Sequence, residues 1–177
     1  MKKIFLILSL LLTISCEKQP NENPNEAGNR IVEYLNNKEY GKIYENFTEE
    51  NIKNINVLID NLKLNIKTDN QSDMEILNEL KVSKDNISNM DNKDVYVALM
   101  NGMNSSFLTL ISSIKSDNAT ATANYKFIDV VEDTKSKSYI VNYDLNIIVD
   151  NDTKTKHSRF YIVNEKGHWK ITDLNLN

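Results

Sequence analysis

The sequence has 177 residues, with 21 lysines and arginines against 25 aspartates and glutamates and a formal net charge of −4. This acidic balance argues against a nucleic-acid partner, because such a partner requires a basic surface that neutralises phosphates. A single cysteine excludes a disulfide within the chain, and four glycines are too few for a glycine-rich phosphate-binding loop.

The first fifteen residues have the pattern of a secretory signal peptide. Lys2 and Lys3 precede an apolar run over residues 4–14. This run is too short to cross a bilayer as a helix, which takes about 20 apolar residues. We therefore expect residues 1–15 to be a signal peptide that is removed by cleavage.

Residues 12–16, LTISC, resemble a bacterial lipobox, in which a small residue stands directly before a cysteine. Thr13 occupies a position where leucine is usual in that family. The resemblance implies that the Cys16 thiol is lipidated, that cleavage occurs before Cys16, and that acyl chains such as palmitate hold the protein on a membrane. We expect a lipoprotein of the bacterial cell envelope, on the outer membrane if the cell has one. The alternative is a secreted protein with an incidental cysteine.

Residues 17–27, EKQPNENPNEA, contain both prolines of the chain and almost nothing apolar. This composition predicts an unstructured tether. Lipidated Cys16 and the tether would then occupy residues 16–27. A single domain, long enough to bury a sizeable core, would occupy residues 28–177.

The first half of the domain has helical periodicity. Ile31, Tyr34 and Leu35 share one helix face, and a second segment has apolar residues at i, i+3, i+4 and i+7 from Tyr40 to Phe47; Asn36-Asn37-Lys38 separates the two. Thr48 is predicted to cap a third helix, with Glu49 and Glu50 at the positive end of its dipole. The apolar stripe of this helix consists of Ile52, Ile55, Leu58, Ile59 and Leu62.

A later helical region begins at Asp91. Gly102 and Ser105-Ser106 predict a break within it, because glycine and serine are poor helix formers. A second apolar helix face follows the break, formed by Phe107, Leu110, Ile111 and Ile114. The topology of residues 64–118 stays open from sequence alone.

After about residue 119 the period of the apolar residues changes from 3.6 to 2, which predicts strands. In the clearest strand, the apolar residues of one face are Tyr139, Val141, Tyr143, Leu145, Ile147 and Val149. The links between strands are short, and Gly167 suits the left-handed position of the last hairpin turn. Closely linked strands pair antiparallel. The expected class is therefore α+β, with N-terminal helices packed on one face of a curled antiparallel sheet.

Two stretches resemble the NTF2-like (cystatin-like) lipoproteins. Residues 34–50, YLNNKEYGKIYENFTEE, are similar to the family's opening, and residues 165–174, EKGHWKITDL, are similar to its closing hairpin. The resemblance implies a cone in which the helices and the concave sheet face enclose a pocket. The family includes isomerases and cyclases as well as domains that only bind.

Four residues are candidates for ligand binding. Tyr139 and Tyr143 share a strand face and can line a cavity, or can pack in the core with their hydroxyls satisfied. Arg159 and Tyr161 share a face with His157, where they can grip an anionic ligand at a pocket mouth. We favour a solvent-facing strand side for these three, because burying arginine and histidine together is costly.

No metal, cofactor or nucleophilic chemistry is expected. The stretch Asp150-Asn151-Asp152-Thr153-Lys154 begins like a calcium loop, but Thr155 and Tyr161 stand where that loop requires glycine and glutamate. The sequence also lacks the HExxH, CxxC and GxSxG motifs.

We therefore favour a membrane-anchored, non-catalytic module that binds an unidentified small molecule or an envelope protein. The first alternative is an isomerase or cyclase that uses a buried carboxylate such as Asp129 or Asp144. Asp144 alternates out of phase with the apolar residues, which counts against it. The second alternative is an envelope assembly partner, which would expose a contiguous apolar patch.

Overall fold

A computed structural model describes residues 22–66, 70–80, 83–115 and 119–173. In these ranges six helices precede four strands. The helices are α1 (Pro24–Asn36), α2 (Tyr40–Glu45), α3 (Glu49–Asn65), α4 (Gln71–Leu80), α5 (Lys84–Asn89) and α6 (Asn92–Lys115). The strands are β1 (Ala121–Asp133), β2 (Ser138–Val149), β3 (Asp152–Glu165) and β4 (His168–Asp173). The predicted signal peptide and Cys16 lie outside the described residues.

The four strands form one antiparallel sheet in the order β1-β2-β3-β4, with each strand beside its neighbours in sequence. The pairing of β1 with β2 shifts register between Phe127 and Asp129. Such a bulge increases the local twist of a strand. The sheet is curled and unclosed, so the predicted α+β architecture, helices followed by a curled antiparallel sheet, is confirmed.

Buried core residues come from the sheet and from all six helices, and one part of this core lies between α1, α2 and the concave face of the sheet. Its fully buried members on the strands are Val141, Phe160, Ile162 and Ile171. Ile31 and Leu35 of α1 and Ile43 of α2 cover them from the helix side. We call this region the closed end. All the buried side chains of the described residues lie between Ala27 and Ile171, so this segment carries its own core.

The predicted tether is wrong for residues 22–27. Helix α1 begins at Pro24, and the Asn23 side chain accepts a hydrogen bond from the Glu26 backbone N–H while Glu26 caps the Asn23 N–H in return. Proline suits the first helical position because its fixed φ is already helical and its missing N–H has no partner there. Ala27 is fully buried, so the domain begins before the predicted boundary at residue 28.

Further contacts fasten this N-terminal segment to the domain. Arg30 forms an ion pair with Glu22 through two hydrogen bonds of 2.7 and 2.9 Å. The Trp169 indole N–H, on β4, donates to the Glu22 carbonyl at 2.7 Å. The Arg30–Glu22 bond raises the pKa of Arg30. The folded part of the chain therefore starts at or before Glu22.

The predicted break at Gly102 and Ser105-Ser106 is also wrong, because α6 runs unbroken from Asn92 to Lys115. A glycine inside a helix costs about 1 kcal/mol, which tertiary packing can outweigh. The first half of α6 supplies that packing, since its Tyr96 ring contacts the rings of Tyr44 and Phe47. The Asn92–Ile114 segment is also long and apolar enough, by length and composition alone, to cross a membrane.

The other local predictions for the helices are confirmed in part. Thr48 caps α3, accepting a hydrogen bond from the Asn51 backbone N–H. In the predicted stripe Ile59 is buried, whereas Leu58 is 69% exposed, so its assignment to the core is wrong. Gly167 adopts a positive φ of 87° in the β3–β4 turn, as predicted.

Candidate functional site

Two cavities lie between the C-terminal half of α6 and the concave face of the sheet. The inner cavity has a volume of about 200 Å³ and the outer cavity about 480 Å³. The inner one is lined by Leu35, Tyr40, Met100, Met103, Asn104, Phe107, Tyr125, Tyr143, Leu145 and Ser158. The outer one is lined by Ile111, Ile114, Ile147, Val149, Asp152 and Lys154.

The two cavities follow each other along the same helix and the same strand face. Ile111 follows Phe107 by one helical turn, and Ile147 follows Leu145 as the next residue on the same strand face. The helix wall from Met100 to Ile114 extends about 21 Å at 1.5 Å per residue. We call these two cavities, with both sets of lining residues, the cleft.

The walls of the cleft are apolar yet incompletely covered. On the helix side Phe107 is 42% exposed and Ile114 is 78% exposed. Full burial of one such side chain would stabilise the protein by about 1.5–3 kcal/mol, and a side chain that stays in water does not contribute this stabilisation. A concave apolar surface with a few polar groups is the usual form of a ligand site.

Three tyrosines place their phenol groups around the inner cavity. Burial raises the pKa of Tyr40 to about 12. Burial also raises the pKa values of Tyr125 and Tyr143, and a hydrogen bond with Ser158 partly opposes the shift at Tyr143. The Tyr125 and Tyr143 ring centroids are 6.0 Å apart. At neutral pH these phenols are uncharged, so they can share hydrogen bonds with a ligand but cannot act as bases.

The opposite face of the sheet carries a polar cross-strand network. His157 Nδ1 lies 2.5 Å from Asp144 Oδ1, and Asn142 donates to Asp129 at 2.7 Å. The His157 side chain is 88% exposed. The Arg159 guanidinium lies 5.9 Å from the Tyr161 ring centroid on the same face. The favoured solvent-facing position of these residues is therefore confirmed.

The structure separates the four predicted ligand-binding residues into two pairs. Tyr143 lines the inner cavity, and Tyr139 lies on the same sheet face but packs edge-on against the Trp169 ring at 5.2 Å. Arg159 and Tyr161 lie on the opposite face, remote from the cleft, because strand neighbours alternate between faces. No single ligand in the cleft contacts all four, and their binding role stays a prediction.

Sequence reasoning missed most of the cleft. Tyr40 and Tyr125 are separated by 85 positions and meet only because α2 packs on α1 and α6, which in turn pack on the sheet. One signal of the cleft that the sequence does contain is the alternation of residues along β3. Lys154 alternates in register with Phe160 and Ile162, so a charged residue continues the core-facing side of this strand.

The charged groups that line the described part of the cleft are few and lie at its outer cavity. No group of three or more histidine, cysteine, aspartate or glutamate side chains comes together among the described residues to hold a metal ion. Among the cleft residues the carboxylate is Asp152, at the outer cavity, and the inner cavity is lined by uncharged groups. An acid–base reaction would need a titrating group beside the reacting atom.

A comparison of the chain with protein-family models, curated proteins and solved structures found no match. The resemblance of residues 34–50 and 165–174 to the NTF2-like lipoproteins stays a prediction.

Proposed function

We propose that this protein is a membrane-anchored bacterial lipoprotein whose domain is a non-catalytic binding module for an apolar ligand. The observation that carries the proposal is the cleft, in which α6 and the sheet present apolar walls to each other without filling the space between them. The ligand lies along α6 and covers Phe107, Ile111 and Ile114, which the fold leaves in contact with water.

The position of the first folded residue limits how far the domain stands from its anchor. Cys16, the proposed lipidation site, precedes Glu22 by six positions. Six residues reach about 20 Å when fully extended. Because Glu22 is tied to Arg30 and Trp169, a domain anchored at Cys16 stays close to the membrane surface. An apolar ligand from that membrane has a short path to the protein.

Isomerase or cyclase activity is the less favoured function for the same cleft. Such a reaction requires a carboxylate or histidine inside the apolar cavity, with a pKa matched to proton transfer. Asp129 and Asp144 were the sequence candidates, and both lie in the network on the opposite sheet face. The cleft phenols are held neutral by burial.

Binding is tested by titrating the chain from Glu17 onward with Nile red, an uncharged dye that fluoresces in apolar sites. We expect saturable binding with one site for each chain. Phe107→Asp places a charge in the cleft wall and should weaken binding at least tenfold. Leu64→Asp is the matched control, because Leu64 is exposed on α3, outside the cleft. Circular dichroism verifies that both variants fold.

Two results would overturn the binding proposal. One is the absence of saturable dye binding to the folded chain. The other is equal weakening by Phe107→Asp and Leu64→Asp, which would indicate nonspecific adsorption to exposed apolar residues.

The anchor is tested separately, in the full chain expressed in a bacterium with lipoprotein processing. Intact mass should show removal of residues 1–15 and acyl chains on Cys16. Cys16→Ser should move the protein from the membrane fraction to the soluble fraction. An unmodified Cys16 in a processed chain would refute the anchor and leave the cleft proposal intact.

A further inference from the structure

The outer cavity of the cleft has a charged margin on β3. The inward-facing side of this strand carries the buried Phe160 and then Ser158, which lines the inner cavity. Lys156 and Lys154 continue the same side toward the start of β3. Two ammonium groups therefore extend from the sheet face that binds the helices, although such a face is normally apolar.

The strand register places both lysines beside the cleft. Lys154 is paired with Ile147, which lines the outer cavity, and Lys156 is paired with Leu145, which lines the inner cavity. Lys154 itself lines the outer cavity. In the described part of the chain neither lysine takes part in an ion pair. Both side chains are exposed, so their ammonium groups are accessible.

The charge at this margin is positive. Asp152 lines the outer cavity as well and has a partner of its own, so the margin combines one carboxylate with two ammonium groups. The opposite, inner end of the cleft is formed by the neutral phenols of Tyr40, Tyr125 and Tyr143. A negative charge is therefore favoured at the lysine margin and disfavoured inside, where burial would strip its hydration without supplying a counter-charge.

The shape of the cleft suits a single extended chain. Its helix wall is about 21 Å long, and its two cavities follow each other along successive turns of α6. The outer cavity, at about 480 Å³, is within the range of small-molecule sites, and the smaller inner cavity, at about 200 Å³, lies next to it along α6. An acyl chain fills such a groove from the mouth inward.

We infer that the cleft binds an anionic amphiphile, with its alkyl chain between α6 and the sheet and its acidic head group at Lys154 and Lys156. This inference rests on the proposed binding function and adds the ligand class and its direction. The head group is a carboxylate or a phosphate monoester, so the ligand derives from a free fatty acid or from a phospholipid.

The test measures the affinity of four probes with twelve-carbon chains by isothermal titration calorimetry, on the chain from Glu17 onward. The charged probes are kept below their micellar concentrations and dodecanol below its solubility limit. The probes are dodecanoate, dodecyl phosphate, dodecanol and dodecyltrimethylammonium. We expect the two anions to bind about tenfold or more tightly than dodecanol, and the cation to bind most weakly. Tighter binding of dodecanoate identifies a fatty acid, and tighter binding of dodecyl phosphate identifies a phospholipid-derived ligand.

Three variants test the direction of binding. The double substitution Lys154→Gln/Lys156→Gln should weaken anion binding about tenfold and leave dodecanol unchanged, because it removes two exposed ion pairs with the acidic head group and no apolar contact. Asp152→Asn should strengthen anion binding. Lys126→Gln is the matched control, because Lys126 pairs with Asp144 on the opposite sheet face, and its affinity should equal that of the parent.

The outcomes separate this inference from the proposed function. If all four probes bind with similar affinity and the lysine variant is unchanged, the apolar cleft stands and the anionic head group is refuted. If Tyr143→Phe weakens anion binding while the lysine variant does not, the ligand lies in the reverse direction and the inference is overturned. If no probe binds, the inference and the proposed function both fail.

Discussion

Helices face the sheet both at the closed end and in the cleft. Side chains fill the space between helices and sheet only at the closed end. At the closed end Val141, Phe160 and Ile171 are fully buried under α1 and α2. In the cleft Phe107 and Ile114 of α6 face strand residues of similar size across open space. Apolar composition does not distinguish the two ends, so the difference lies in how closely the helices approach the sheet.

Gly28 accounts for the close approach at the closed end. A Cβ atom at this position would lie 2.9 Å from Val130 Cγ2 and 3.0 Å from Val141 Cγ1. The α1 backbone is therefore in direct contact with side chains of the sheet. The inner cavity instead meets α6 at the large side chains of Met100, Met103 and Phe107.

The largest expected difference is between Phe160→Ala and Phe107→Ala. Phe160 is fully buried, and its truncation should reduce the free energy of unfolding by about 3–5 kcal/mol. Phe107 faces the cleft and is only partly buried, so its truncation should cost about 1–2 kcal/mol. Urea denaturation followed by circular dichroism measures both. Similar losses for the two variants would mean that the cleft is packed in solution.

The second-largest expected effect is the pH dependence of stability that Tyr40 causes. This residue lies at the boundary between the closed end and the cleft. Burial raises the pKa of Tyr40 to about 12 in the folded state, compared with about 10 in the unfolded state. Below pH 10 the phenol is neutral in both states, and the protein keeps its full stability. From pH 10 to 12 the stability of the parent should fall relative to Tyr40→Phe by about 1.4 kcal/mol per pH unit. Urea denaturation from pH 9 to 12 measures the difference. Parallel curves would show that water in the inner cavity solvates this phenol.

The smallest effect compares two glycines in helices. Gly28→Ala should reduce the free energy of unfolding by about 1–2 kcal/mol, because overpacking outweighs the gain in helix propensity. Gly41→Ala is the control, since its nearest contact is the flexible end of the Lys93 side chain at 3.1 Å. It should be neutral or stabilising by roughly 0.5 kcal/mol. Thermal unfolding resolves both, and a stable Gly28→Ala would contradict close packing at the closed end.

Local patterns in the sequence determined the order of the elements and many of their ends. The alternation of Tyr139, Val141 and Tyr143 identified the inward face of β2, and Thr48 identified the start of α3. These features depend on residues a few positions apart, so periodicity and capping rules reach them. The start of α1 was missed although its signal is local: Asn23, Pro24 and Glu26 form a capping box with proline at the first helical position.

Only the tertiary structure decided the continuity of α6 and the existence of the cleft. Gly102 and Ser105-Ser106 lower helix propensity, and contacts with α2, α3 and α4, formed by residues distant in sequence, outweigh that cost. The cleft depends on the separation of α6 from the sheet, which the size of side chains on both layers sets together. A sequence pattern shows which face of an element is apolar, but whether that face meets a filled or an empty space depends on its partner across the fold.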